Sequence, residues 1–101
     1  MNQMYAQSTL NRDKKFLIWN FMEELLGKYH EASRKKASIT FELQDFESIR
    51  LPIFILHDQF MLETLREYER KKKFFQIHND TAVTLTNNGL IRAQKVPHDW
   101  D

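Results

Sequence analysis

Residues 74–93 read Phe74-Phe75-Gln76-Ile77-His78-Asn79-Asp80-Thr81-Ala82-Val83-Thr84-Leu85-Thr86-Asn87-Asn88-Gly89-Leu90-Ile91-Arg92-Ala93. Two short runs of β-type residues, 74–78 and 82–85, flank Asn79-Asp80-Thr81, a set that favours tight turns. The pattern predicts a β-hairpin, then a short helix that starts at Thr86 or Asn87 and runs through about Gln94. Pro97 limits its continuation. A lone two-stranded hairpin buries too little surface to stand in water, so it must be an appendage of the helical segments before it.

The clearest of those segments runs from Asn11 to about Glu31. Phe16, Trp19, Phe21 or Met22, Leu25, Leu26 and Tyr29 recur at helical spacing, with Asn11 or Asp13 available as N-cap and no proline inside. With that face on the core, the remainder of Leu17, Ile18, Phe21 and Leu26 forms a second apolar stripe, the mark of a helix against which another chain packs. Leu17, Ile18 and Phe21, together with the isolated Trp100, are therefore the expected dimer interface. Residues 1–10 are polar and unpatterned and are expected as a flexible arm. Residues 11–95 form the domain, and 96–101 a tail.

After a basic loop holding Arg34, Lys35 and Lys36, residues 38–40 are expected as a short strand with Ile39 pointing inward. Residues 41–49 then fit a short amphipathic helix capped by Thr40. The alternation of Ile39, Phe41 and Leu43 with Ser38, Thr40 and Glu42 leaves a longer strand as the alternative. Arg50-Leu51-Pro52 signals a turn and restart, because proline disfavours helical geometry in the residue before it and suits the first position of a new helix. Residues 52–73 would hold a third helix, with Met61, Leu62, Leu65 and Tyr68 on its inner face. Its regular part has Asp58 as a possible cap, and 53–56 reads equally as helix or buried strand.

Helices followed by a β-ribbon, with Leu85 and Thr86 directly after the ribbon, Gly89 three residues past the threonine and Ala93 in a final short helix, resemble the winged helix-turn-helix family. The resemblance covers about residues 14–93. It implies an α+β fold ordered helix, short strand, helix, helix, two-stranded wing, short helix. It also implies a DNA-binding module, a small transcriptional regulator that presents its third helix to the major groove while the wing touches the backbone. Dimerisation through the first helix would supply avidity.

Length and composition bound this reading. A chain of 101 residues is one domain by size, and 42% hydrophobic residues provide a core. Fifteen basic residues against fourteen acidic ones leave no global field to draw in a polyanion, so nucleic-acid affinity needs a local patch. The absence of cysteine excludes disulfides, thiolate metal sites and cysteine nucleophiles. Neither a signal peptide nor a membrane span is expected, and the cytoplasm is the default compartment.

Catalytic chemistry finds no foothold. Gly27 and Gly89 stand alone, whereas a phosphate-cradling loop needs several glycines. His30, His57, His78 and His98 are scattered without metal-site spacing. Glu23-Glu24 and Glu67 with Glu69 read as solvated helix faces rather than acid–base pairs. Ser8, Ser33, Ser38 and Ser48 lack the strand-turn-helix context of a nucleophile. No enzyme activity, cofactor or metal is expected.

The strongest polar feature is Arg70-Lys71-Lys72-Lys73, helped by Arg66, at the end of the third helix and the entry to the hairpin. These cations suit a phosphate backbone. They also suit a helix C-terminus, and Glu63, Glu67 and Glu69 can pair with them. Near the start of the helix only His57 and Gln59 are fit to read bases. In the hairpin Gln76, His78, Asn79 and Thr81 can donate hydrogen bonds, while Asp80 would be repelled. Double-stranded DNA and a second copy of the chain are the expected partners. The competing reading is a protein-binding module using 53–56 and the first helix as apolar surfaces.

Overall fold

The structure, a computed structural model, describes residues 2–50 and 58–101, with side chains over 14–49 and 61–101. Among these residues the fold is α+β. Helix α1 (Asn2–Arg34) leads to strand β1 (Thr40–Glu42), a 3₁₀ turn (Leu43–Asp45) and helix α2 (Glu47–Arg50). Helix α3 (Asp58–Lys72), strands β2 (Phe75–His78) and β3 (Ala82–Leu85) and helix α4 (Asn87–Lys95) follow. The strands form one antiparallel sheet in the order β1-β3-β2.

The hairpin pairs Phe75 with Leu85 and Ile77 with Val83. The two-residue period sends these four side chains to the core, where all are buried, and leaves Gln76 exposed. Asn79 and Asp80 take φ of 52° and 60°, and the Thr81 N–H donates to the His78 carbonyl at 3.1 Å. Asparagine and aspartate enter this left-handed region more readily than other side chains.

Strand β1 covers the free edge of β3, pairing Phe41 with Val83. The region 38–49 thus departs from its expected form. Thr40 lies in the strand rather than capping a helix, and Ile39 is 40% exposed rather than inward. Strand pairing claims residues 40–42, and helical geometry begins only beyond them. The single turn of α2 is capped from another element: the Glu24 carboxylate of α1 accepts the N–H groups of Glu47 and Ser48 at 2.7 and 2.9 Å. That satisfies donors a helix start otherwise leaves orphaned.

Helix α1 begins at Asn2 rather than Asn11, so the expected arm is helical. At 1.5 Å per residue its 33 residues span about 50 Å, matching the molecule's longest dimension of 51 Å. Its buried stripe is Leu17, Ile18, Phe21, Met22 and Leu25, the i, i+3/4 pattern of one helix face. Phe21 stacks on Phe46 at 4.7 Å and meets Phe75 edge-on at 5.2 Å. This corrects the interface expectation. Leu17, Ile18 and Phe21 are used inside the protomer, while Phe16, expected on the core, is 49% exposed.

Trp100 is corrected in the same way, being only 1% exposed. Residues 96–101 fold back across α1, α3 and α4. The Trp100 indole donates to Glu23 Oε2 at 2.7 Å, and its ring meets Phe74 edge-on at 5.9 Å. Trp19 Nε1 donates to the His98 carbonyl at 3.0 Å, and His98 Nδ1 lies 2.6 Å from Glu23 Oε1. Arg92 of α4 donates to the carbonyls of Asp99 and Asp101, both at 2.9 Å. The expected tail is a strap, anchored mostly by one carboxylate of α1.

Candidate nucleic-acid interface

The basic run sits where α3 hands over to the hairpin. Arg70, Lys71 and Lys72 occupy the last turn of α3, where cations complement the carbonyl end of the helix. Lys73 follows with φ of 59°, a left-handed helix stop filled by lysine instead of glycine. Its N–H donates to the Glu69 carbonyl at 2.9 Å, and its own carbonyl accepts the Thr86 hydroxyl at 2.6 Å. The joint between α3 and β2 is therefore locked to the start of α4.

That start is built around Thr86 and Gly89. Thr86 Oγ1 accepts the Gly89 N–H at 3.3 Å, the N-cap geometry expected of threonine. The Thr86 N–H donates to the Phe74 carbonyl at 3.0 Å. Gly89 packs directly on that carbonyl and on the Leu85 side chain. The Leu85, Thr86, Gly89 spacing is thus a joint that ties the hairpin's two ends to α4.

Successive helix residues turn by about 100°, so the cations of α3 do not share one face. Arg66 points to the hairpin tip, where its guanidinium pairs with Asp80. Lys71 turns to the opposite flank and pairs with Glu67 at 2.9 Å, and Lys72 lies with it on a groove beside α1. Arg70 is exposed between the two flanks. The expected single basic patch is divided, and two of its cations are held by carboxylates. Exposed pairs of this kind contribute about 0–1 kcal/mol each, so their effect is on side-chain direction and local charge. The Lys71 ammonium, by hydrogen bond and charge, holds the Glu67 carboxyl below its ordinary range.

In the hairpin Gln76, Asn79 and Thr81 are exposed, and His78 is half-buried with Nε2 sharing a 3.0 Å hydrogen bond with Thr84 Oγ1. The Thr81 carbonyl accepts the Leu43 N–H at 2.9 Å, which fixes the turn to the chain after β1. His57 lies outside the described residues, as does the segment 53–56. Gln59 falls in the first turn of α3, its side chain beyond those described.

The glutamates are structural rather than merely solvated. Glu69 Oε2 accepts the Ile77 N–H at 2.6 Å, satisfying an outward donor of edge strand β2. Glu23 holds the strap and Glu24 caps α2. No local sequence rule signals these contacts, which join residues 8 to 77 positions apart. The opposite charges of Arg66 and Asp80 were the one available hint that the hairpin tip closes onto α3. Ser48 is buried, and its hydroxyl has no partner among the described residues, so no base activates it.

Among the described residues no group of three histidine, aspartate or glutamate side chains gathers as a metal site. No helix there is long and apolar enough to cross a membrane. No protein-family model matches the chain, and no curated protein or solved structure matches it either.

One titration reports on the strap. The Tyr68 hydroxyl donates to the Trp100 carbonyl, and burial, the leading cause, raises its pKa well above the ordinary tyrosine value. Above pH ~10 the unfolded chain releases this proton while the folded chain keeps it, so stability falls as pH rises past ~10. A phenolate absorbance titration should show one tyrosine that ionises only as the protein unfolds. Replacing Tyr68 by phenylalanine should flatten the alkaline loss of stability.

Proposed function

We propose that this chain is a winged-helix module that binds double-stranded DNA, with α3 as the recognition helix and the β2–β3 hairpin as the wing. The observation that carries this reading is the ion pair between Arg66 and Asp80, which closes the wing tip onto α3 so that helix and wing offer one surface. The sheet order, with a short β1 added to the hairpin, is the arrangement this fold requires. Arg70, Lys72 and Lys73 stand exposed at the helix end, and Gln76, Asn79 and Thr81 offer hydrogen-bond donors from the wing. Phosphate contact by these groups positions a module on a duplex without reading its sequence. Such a protein acts where DNA is, in the cytoplasm, as a small regulator or an accessory of one. The competing protein-binding reading draws no support from Leu17, Ile18, Phe21 and Trp100, which are committed to the protomer's own core.

Fluorescence anisotropy with a labelled duplex over a salt series tests this. Three phosphate contacts predict a slope of log affinity against log salt of about −3, and Arg70→Ala with Lys73→Ala should reduce it by about 2. A flat response, or a slope unmoved by the double substitution, would remove the DNA reading.

A further inference from the structure

A groove of about 440 Å³ runs between α1 and α3 on the flank opposite Arg66, a volume in the range of small-molecule sites. Lys14 and Lys15 line it from α1, and Lys71 and Lys72 from α3. Its inner wall is apolar, made by the buried Ile18 and the ring of Tyr68. The stems of the lysines add aliphatic surface, since such side chains lay their methylenes along apolar walls and keep the ammonium in water.

Charge in the groove is unbalanced. Glu67 engages Lys71 at 2.9 Å and Asp101 engages Lys15 at 3.0 Å. Four side-chain ammoniums against two carboxylates leave two positive charges in excess. The field of Lys14 crosses the groove to Glu67, so the surplus is shared by both helices. A neutral apolar molecule would leave that surplus unanswered, and a bare inorganic anion would leave the Ile18 wall wet.

We infer that this groove binds a small aliphatic carboxylate, its head between Lys14 and Lys72 and its chain along Ile18 and the lysine stems. The site is separate from the proposed DNA surface and does not depend on it. Asp101 belongs to the strap and reaches into the same groove, where its carboxylate competes with the ligand for Lys15. Occupancy therefore bears on the strap as well as on α1 and α3.

Octanoate added to the full chain tests the inference, with octanol and inorganic phosphate as comparison probes. Lys15 Nζ lies 5.1 Å from the centre of the Trp19 ring, so tryptophan fluorescence reports directly from the groove. Octanoate should give a saturable change that octanol and phosphate do not reproduce. Lys14→Glu with Lys72→Glu should weaken it about tenfold, the scale of one lost charge-assisted contact. Asp101→Asn, which removes the competing carboxylate, should tighten it. Should the double reversal unfold the chain, Lys72→Gln at an exposed position retains the fold and should still weaken octanoate. Absence of saturable octanoate binding, equal binding of octanol or phosphate, or unchanged affinity in the lysine variants would overturn the assignment.

Discussion

Replacing Trp100 by alanine is expected to lower the unfolding free energy by about 3–5 kcal/mol, the range for truncating a buried large aromatic. Three losses combine. The ring leaves a cavity beside Phe74, its edge-on neighbour at 5.9 Å. Glu23 loses the indole N–H that it holds at 2.7 Å, and a carboxylate stripped of a donor is costly where water enters poorly. The strap that presents a carbonyl to the Tyr68 hydroxyl is loosened as well. Trp100→Phe separates these terms, because it keeps most of the packing and removes only the N–H, for a smaller loss of about 1–2 kcal/mol. Urea denaturation measures both. An alanine variant that unfolds at the parent's midpoint would show that the strap does not pack as described.

The second large effect is a contrast between the chain's two glycines. Alanine is favoured over glycine in a helix interior by about 1 kcal/mol, so either substitution would stabilise if the site were open. At Gly27, exposed in α1, an added Cβ meets nothing within 4 Å, and Gly27→Ala should stabilise by about that amount. At Gly89 the same atom would sit 2.7 Å from Leu85 Cδ1 and closer still to the Phe74 carbonyl oxygen. That oxygen is pinned by the Thr86 N–H at 3.0 Å and cannot retreat without opening the joint between hairpin and α4. Gly89→Ala should therefore destabilise by about 1–3 kcal/mol, as overpacking does. The opposite signs, read in one set of thermal melts, test the close approach itself; stabilisation by both would refute it.

The hairpin and the start of α4 were legible because their causes are local. Alternating apolar residues set the strand faces, Asn79 and Asp80 suit the turn, and Thr86 caps the helix three residues before Gly89. The regular part of α3 likewise begins at Asp58, as its capping chemistry suggested. The inward face of α1 was not legible. Phe16 and Trp19 fit a helical stripe as well as Leu17 and Phe21 do, and only the sheet lying against the second set decides between them. The tail was less legible still, since residues 96–101 carry no period and Trp100 finds Glu23 77 residues away. In the candidate site the cations were visible as a run. Their division between two flanks follows from helical phase together with Asp80 and Glu67, one of which lies on another element.

The strap also orders the events of synthesis. A ribosome releases α1 first, yet Phe21 and Met22 gain their cover only when Phe75 and Val83 have emerged, and Glu23 meets its partners only with His98 and Trp100. Contacts so distant along the chain close slowly, because the loop between them must be gathered first. The nascent chain thus carries an uncovered apolar helix until nearly its last residue is made, and a polypeptide stalled or clipped before residue 98 is the form most prone to be bound by chaperones or to aggregate.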